Sequence, residues 1–255
     1  MNSIKNFVDA KDVFREMTLS QIVTVNYKAA AVFEKYSLDF CCKGNRAFNE
    51  VCKEKGIDAE EILVQIKNID ENSSDNNMRF NTWELDFLVD YIINNHHQYV
   101  RESIPVIAAH ADKVVAAHGK NHPELIGISK IFTMVYKELK QHLVKEEEIL
   151  FPYIKNLVRV NQNLISYEKP YFGKIENPIK MMEVEHETAG DGMYDIRMIT
   201  DNFTIPDDAC NTFALFYNEL KEFEEDLHKH VHIENNIIFP KSINLEGTIL
   251  QNQNS

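Results

Sequence analysis

Two phrases decide the reading of this chain: HLVKEEEILFP at residues 142–152 and HVHIENNIIFP at residues 230–240. Each places a glutamate four residues after a histidine and ends an apolar run in Phe-Pro. Residues four apart share one face of an α-helix, so His142 aligns with Glu146 and His230 with Glu234. The rest of each face is apolar. Ile128, Phe132, Val135 and Leu139 lead into His142, and Ile149 follows Glu146. Phe213, Phe216, Leu220, Phe223 and Leu227 lead into His230, and Ile237 follows Glu234. Steps alternating between three and four residues mark the buried stripe of an amphipathic helix.

Two further stretches carry the same pattern. Ile93, His97, Val100, Ile104 and Ile107 form one seam, which selects His97 over its neighbour His96. Ile179, Met182, His186, Ala189, Met193 and Ile196 form the other. By the same logic His228 and His232 fall off the seam and face solvent, and only the first of Glu146, Glu147 and Glu148 points inward. Four helices are expected, over about Trp83–His118, Pro123–Arg159, Pro178–Thr200 and Pro206–Glu234. Pro123, Pro178 and Pro206 sit where a helix can begin, whereas Pro152 and Pro240 should break or kink one. His97 and His142 are 45 residues apart and His186 and His230 are 44 apart, which with the matching phrases indicates two copies of a helical hairpin. The fold class is therefore all-α, a four-helix bundle preceded by a small helical domain.

A charged carboxylate buried without a partner costs several kcal/mol, and no Lys or Arg shares these seams with Glu146 or Glu234. On one helix, an inward His is ordinarily a satisfied core residue and an inward Glu half of an ion pair. Four helices that each turn one His inward, two of them adding a Glu, call for a cation. Imidazole with carboxylate suits first-row transition metals; calcium and magnesium take more oxygen, and structural zinc is one ion with four ligands. The expected ligands are His97, His142, Glu146, His186, His230 and Glu234, holding two iron ions bridged by Glu146 and Glu234, with manganese the second choice. Six protein ligands leave coordination positions open for small molecules.

The remainder of the chain divides simply. Residues 68–79 (NIDENSSDNNMR) are polar, lack a hydrophobic period and read as a linker between a domain at 1–67 and the bundle at 80–245. In the first domain a helix opens at Thr18-Leu19-Ser20-Gln21, a turn follows at Asp39–Arg46, and Ala59–Lys67 makes another helix. That turn holds adjacent Cys41 and Cys42, beside Lys43 and Arg46, whose charge is of the kind that lowers a thiol pKa. The pair reads either as buried small apolar groups or as a contact to metal. Cys52 and Cys210 read as structural. His118 lies on the first helix's seam but 21 residues beyond His97, roughly 30 Å along an unbroken helix. It reaches the same metals only if the helix folds back at Pro105 or Gly119; packing, a helix cap or a second weak metal site are the other readings. His110 and His122 read as surface or turn residues, and Glu183 and Glu185 as polar-face residues.

The formal net charge of −13 argues against nucleic acid or an anionic membrane as partner. Met1–Ala10 lacks the apolar core of a signal peptide and no run of 18 apolar residues occurs, so a cytoplasmic protein with reduced thiols is expected.

His97 with Arg101-Glu102, His142 with Lys145-Glu146-Glu147 and Leu150-Phe151-Pro152, Glu185-His186-Glu187, and His230 with Glu234-Asn235-Asn236 and Phe239-Pro240 resemble the hemerythrin-like domains. The segment Tyr36–Gly44, with Asp39-Phe40-Cys41-Cys42, is similar to the short cysteine-pair domain that precedes this bundle in the di-iron "repair of iron centres" proteins. Together they cover most of the chain. The oxygen-carrying hemerythrins differ: their third helix has a second histidine where this chain has Gly190, and their last carboxylate is an Asp where this chain has Asn235 and uses Glu234. The resemblance implies a stress-response protein that supports repair of iron–sulfur clusters after nitrosative or oxidative damage, by supplying iron to damaged iron–sulfur client proteins. The small exposed N-terminal module favours a homodimer. A di-iron nitric oxide reductase and a hemerythrin-like module that binds or senses oxygen or nitric oxide are the alternatives.

Overall fold

The computed structural model describes residues 14–72 and 79–253. Among the described residues the chain is helical and forms no strand. Cα packing divides it into two units: Met1–Trp83 with Val231–Ile237, and Glu84–His230 with Ile238–Ser255.

In the first unit α1 (Leu19–Val25), α2 (Ala29–Lys35), α3 (Phe48–Lys55) and α4 (Ala59–Asn72) surround Phe33, Phe40 and Phe48. A reciprocal capping box starts α1: the Thr18 hydroxyl accepts the Gln21 amide and the Gln21 side chain accepts the Thr18 amide. α4 runs five residues into the expected linker, and 73–78 lie outside the described residues. The turn 39–46 is tight enough to require glycine at Gly44, where a Cβ would stand 2.2 Å from the Phe40 carbonyl oxygen.

Four helical runs build the expected bundle. The first is α5 (Leu85–Tyr91), a π-turn (Ile92–His97) and α6 (Gln98–His118); the second is α7 (Glu124–Lys145), a π-turn (Glu146–Leu150) and α8 (Phe151–Asn161). α9 (Glu176–Ile199) is the third, and α10 (Asn211–Ile233), a π-turn (Glu234–Ile238) and α11 (Phe239–Gln253) form the fourth. Every seam residue of α9 is buried, and so are those of the fourth run. Elsewhere the seams slip by one residue at the π-turns: Ile92 is buried rather than Ile93, and Leu150 and Phe151 rather than Ile149. A wide turn carries one extra residue, which a 3.6-residue period does not anticipate. The same turns explain why the helical path continues through Pro152 and Pro240, where a break or kink was expected. Each proline follows a widened turn that makes room for its ring and absorbs its missing donor. The fourth run also begins later than expected, at Asn211, leaving Pro206 in the preceding loop.

α9 lies close against α7 at Gly192, where a Cβ would meet Val135 Cγ2 at 2.6 Å. A buried ion pair ties α9 to α10: Arg197 Nε donates to Glu224 Oε1 at 3.1 Å, and the Glu224 side chain is only 1% exposed. Glu224→Ala strands the guanidinium and is expected to lower unfolding stability by about 3–5 kcal/mol in urea titrations, whereas replacing both residues with apolar side chains should recover most of that loss.

Candidate metal centre

The polar residues that the seams pick out converge. His97, Glu146, His230 and Glu234 form one group and His142, Glu146, His186 and Glu234 a second, and within each group the ligand atoms lie within 4.8 Å of one another. All six side chains are at most 1% exposed. Glu146 Oε2 stands 3.3 Å from His97 Nε2 and 3.3 Å from His142 Nε2, and the Nε2 atoms of His142 and His186 face each other at 2.9 Å. Both glutamates belong to both groups. Imidazole nitrogens and carboxylate oxygens, without thiolate, fit iron or manganese by donor chemistry.

The Phe-Pro endings of the two phrases have equivalent tasks. Phe151 stacks on His97 at 5.6 Å and Phe239 on His186 at 6.0 Å, each nearly parallel to its histidine, so each hairpin holds its first histidine against its own apolar wall.

Sequence reasoning overlooked the residues that orient the histidines. His97 Nδ1 donates to Glu147 Oε1 at 2.6 Å, and the same oxygen accepts Arg101 at 2.6 Å. Burial pushes the Glu147 carboxyl up, but Arg101 and His97 outweigh it and hold the group below its ordinary value. Glu185, expected merely to line a polar face, accepts His142 Nδ1 at 2.9 Å and pairs with Lys145. The His142 hydrogen bond, reinforced by Lys145 against burial, lowers its pKa as well. A carboxylate on Nδ1 fixes the tautomer and turns Nε2 inward. The clue was available in the sequence: Glu147 and Glu185 each adjoin an inward residue.

Two histidines expected to point outward are buried. His232 is fully covered in the first unit, its ring 5.6 Å from Phe40 and its Nδ1 3.4 Å from the Phe40 carbonyl. Burial pushes its pKa down to about 4, so it is neutral at pH 7. His228 is half-buried. His96 is buried beside His97, its Nδ1 2.8 Å from Asp226 and its ring stacked on His230 at 5.6 Å, because the π-turn at 92–97 brings both neighbours inward. His118 belongs to neither group: α6 passes Pro105 without folding back and carries it to Cys210.

Cys41 and Cys42 form a third group with Asp39, again with ligand atoms within 4.8 Å. Asp39 Oδ1 accepts the backbone amides of both cysteines at 3.0 Å and the Cys41 thiol at 3.3 Å. The expectation of a lowered thiol pKa does not hold for Cys41. Its hydrogen bond to Cys42, its burial and Asp39 push it well up. Arg46 is engaged instead with Glu54.

Comparison with known proteins agrees with this geometry. Residues 88–242 match the hemerythrin HHE cation-binding domain, and residues 11–70 match a domain of unknown function, DUF542. The iron-sulfur cluster repair protein YtfE of Enterobacter sp. is 34% identical over 230 residues, covering 90% of this chain and 98% of that protein. The chain belongs to the iron-sulfur cluster repair family. Its relatives of the same name in Citrobacter koseri and Escherichia coli are 33% and 32% identical over the same share of each chain. In this family member no helix among the described residues is long and apolar enough to cross a membrane. Replacing Glu185 or Glu147 with Gln keeps the shape but weakens the hold on Nδ1, and is expected to reduce metal affinity about 10–100-fold in a chelator competition.

Proposed function

We propose that this chain holds two iron ions, one by His97 and His230 and the other by His142 and His186, with Glu146 and Glu234 bridging them. We propose further that it supports repair of iron–sulfur clusters damaged by nitrosative or oxidative stress by giving up that iron. One observation carries the reading: Glu146 and Glu234 each belong to both four-residue groups, and a carboxylate has two oxygens to share. The names of its relatives, iron-sulfur cluster repair proteins, support the repair role. Iron here is cargo: a centre with few protein ligands per ion, and positions left to solvent, can release its metal to a better thiolate acceptor.

The chain's own residues set how firmly the cargo is held. Glu147 and Glu185 keep the imidazoles aimed inward, and their pairing with Arg101 and Lys145 keeps them ionised. Asp39, Cys41 and Cys42 offer a second donor set, softer than the first. The raised Cys41 pKa suits an intermittent role, in which the thiol stays protonated until an incoming cation displaces the proton. The reading places the protein in the cytoplasm, with damaged iron–sulfur proteins as clients.

Anaerobically purified protein is expected to carry two irons per chain and to restore an apo iron–sulfur protein. Glu146→Ala and His230→Ala should lose iron and repair together. Cys41→Ser/Cys42→Ser should keep the iron but slow its transfer. Metal analysis finding neither iron nor manganese would defeat the reading, and turnover of nitric oxide to nitrous oxide without iron loss would replace donation by catalysis.

A further inference from the structure

His118 and Cys210, left over from the centre, meet each other roughly 30 Å along the first helical run from His97. We propose that His118, His122, Asp208 and Cys210 form a separate cation site at that end of the bundle, suited to a zinc-like divalent ion.

The residues come in two short-range pairs. His118 and His122 occupy one turn at the end of α6, where the His122 amide donates to the His118 carbonyl at 2.8 Å. Asp208 and Cys210 flank Ala209 in the loop before α10, which is anchored by Ala209 N–H to the Pro206 carbonyl and Ala214 N–H to the Cys210 carbonyl, both at 3.0 Å. The loop then faces the turn residue for residue. His118 Nε2 stands 3.2 Å from Cys210 Sγ, and His122 Nε2 stands 3.0 and 3.2 Å from the two Asp208 oxygens. Around a tetrahedral ion with bonds of about 2.0–2.3 Å, neighbouring ligand atoms are about 3.3–3.6 Å apart. Both pairs stand slightly closer than that, at hydrogen-bond distance, so an ion would replace the shared proton and spread each pair by a few tenths of an ångström. A His-x3-His turn opposed by a thiol and a carboxylate is a zinc-type donor set.

The surroundings orient the donors. Glu124 Oε1 takes His122 Nδ1 at 2.8 Å, the same support that Glu147 gives His97 and Glu185 gives His142 at the core centre. Fully buried Phe213 forms a floor under both rings, 5.3 Å from His118 and 5.2 Å from His122. The ring centroids are 6.3 Å apart, and the four donors are not gathered as tightly as those of the core groups. Asp208, 60% exposed, and the exposed Cys210 have the freedom to close the remaining distance by side-chain rotation. The site is therefore open to solvent, unlike the enclosed core.

Cobalt(II) tests this on full-length Cys41→Ser/Cys42→Ser protein, from which the other thiol donor set has been removed, because a thiolate-to-cobalt charge-transfer band in the near ultraviolet arises only at a site containing cysteine. The core donors are nitrogen and oxygen, so the readout does not depend on what the core binds. The proposal predicts a saturable band, displaced by zinc, that Cys210→Ser abolishes and that His118→Ala or His122→Ala weakens about 10–100-fold in affinity. The iron content and thermal melting of Cys210→Ser should match the parent. In that background, a band that survives Cys210→Ser, or no band in excess cobalt, would overturn the proposal and reduce the cluster to a histidine–carboxylate strap.

Discussion

Two carboxylates with no solvent exposure, Glu146 and Glu234, are the constraint around which the bundle is arranged. Water cannot solvate them, and no Lys or Arg shares their seams, so the four surrounding imidazoles and the cation they can hold are what make their burial tolerable. Apolar packing brings the helices together: Phe132, Phe213, Phe216 and Phe223 are almost wholly covered, each such side chain contributing about 1.5–3 kcal/mol. That energy allows the interior to retain six polar side chains.

Support for the ligands is layered outward. Nε2 atoms point to the centre, Nδ1 atoms of His97 and His142 reach Glu147 and Glu185, and these carboxylates meet Arg101 and Lys145 nearer the surface. Each layer compensates the charge of the one beneath it. The stacked Phe151 and Phe239 close the apolar side of two histidines. Polarity thus decreases along one direction from the centre and increases along another.

Three of the four helical runs place a π-turn at one of these buried polar residues, and the third run, α9, does not. An extra residue per turn rotates the following seam, so that neighbouring residues such as His96 and His97 both turn inward. A wide turn costs hydrogen-bond geometry and recurs at functional positions for that reason. Here it also lets Pro152 and Pro240 lie within continuous helical runs.

The sequence by itself determined the helical class, the four inward histidines and the two inward glutamates, because a 3.6-residue period and the cost of burying charge are local properties of the chain. The cysteine pair was visible for the same reason, as a motif within one turn. Tertiary structure decided everything that depends on contacts between helices. Glu185 became a support for His142 only when α9 lay beside α7, and His118 was separated from the core because α6 stayed straight past Pro105. His232 was buried by Phe40, a residue far away in sequence, and the π-turns moved Ile92 and Leu150 into positions that a uniform period assigned to Ile93 and Ile149. Periodicity identifies which face of a helix is buried; what meets that face is set by residues distant in sequence, which periodicity does not encode.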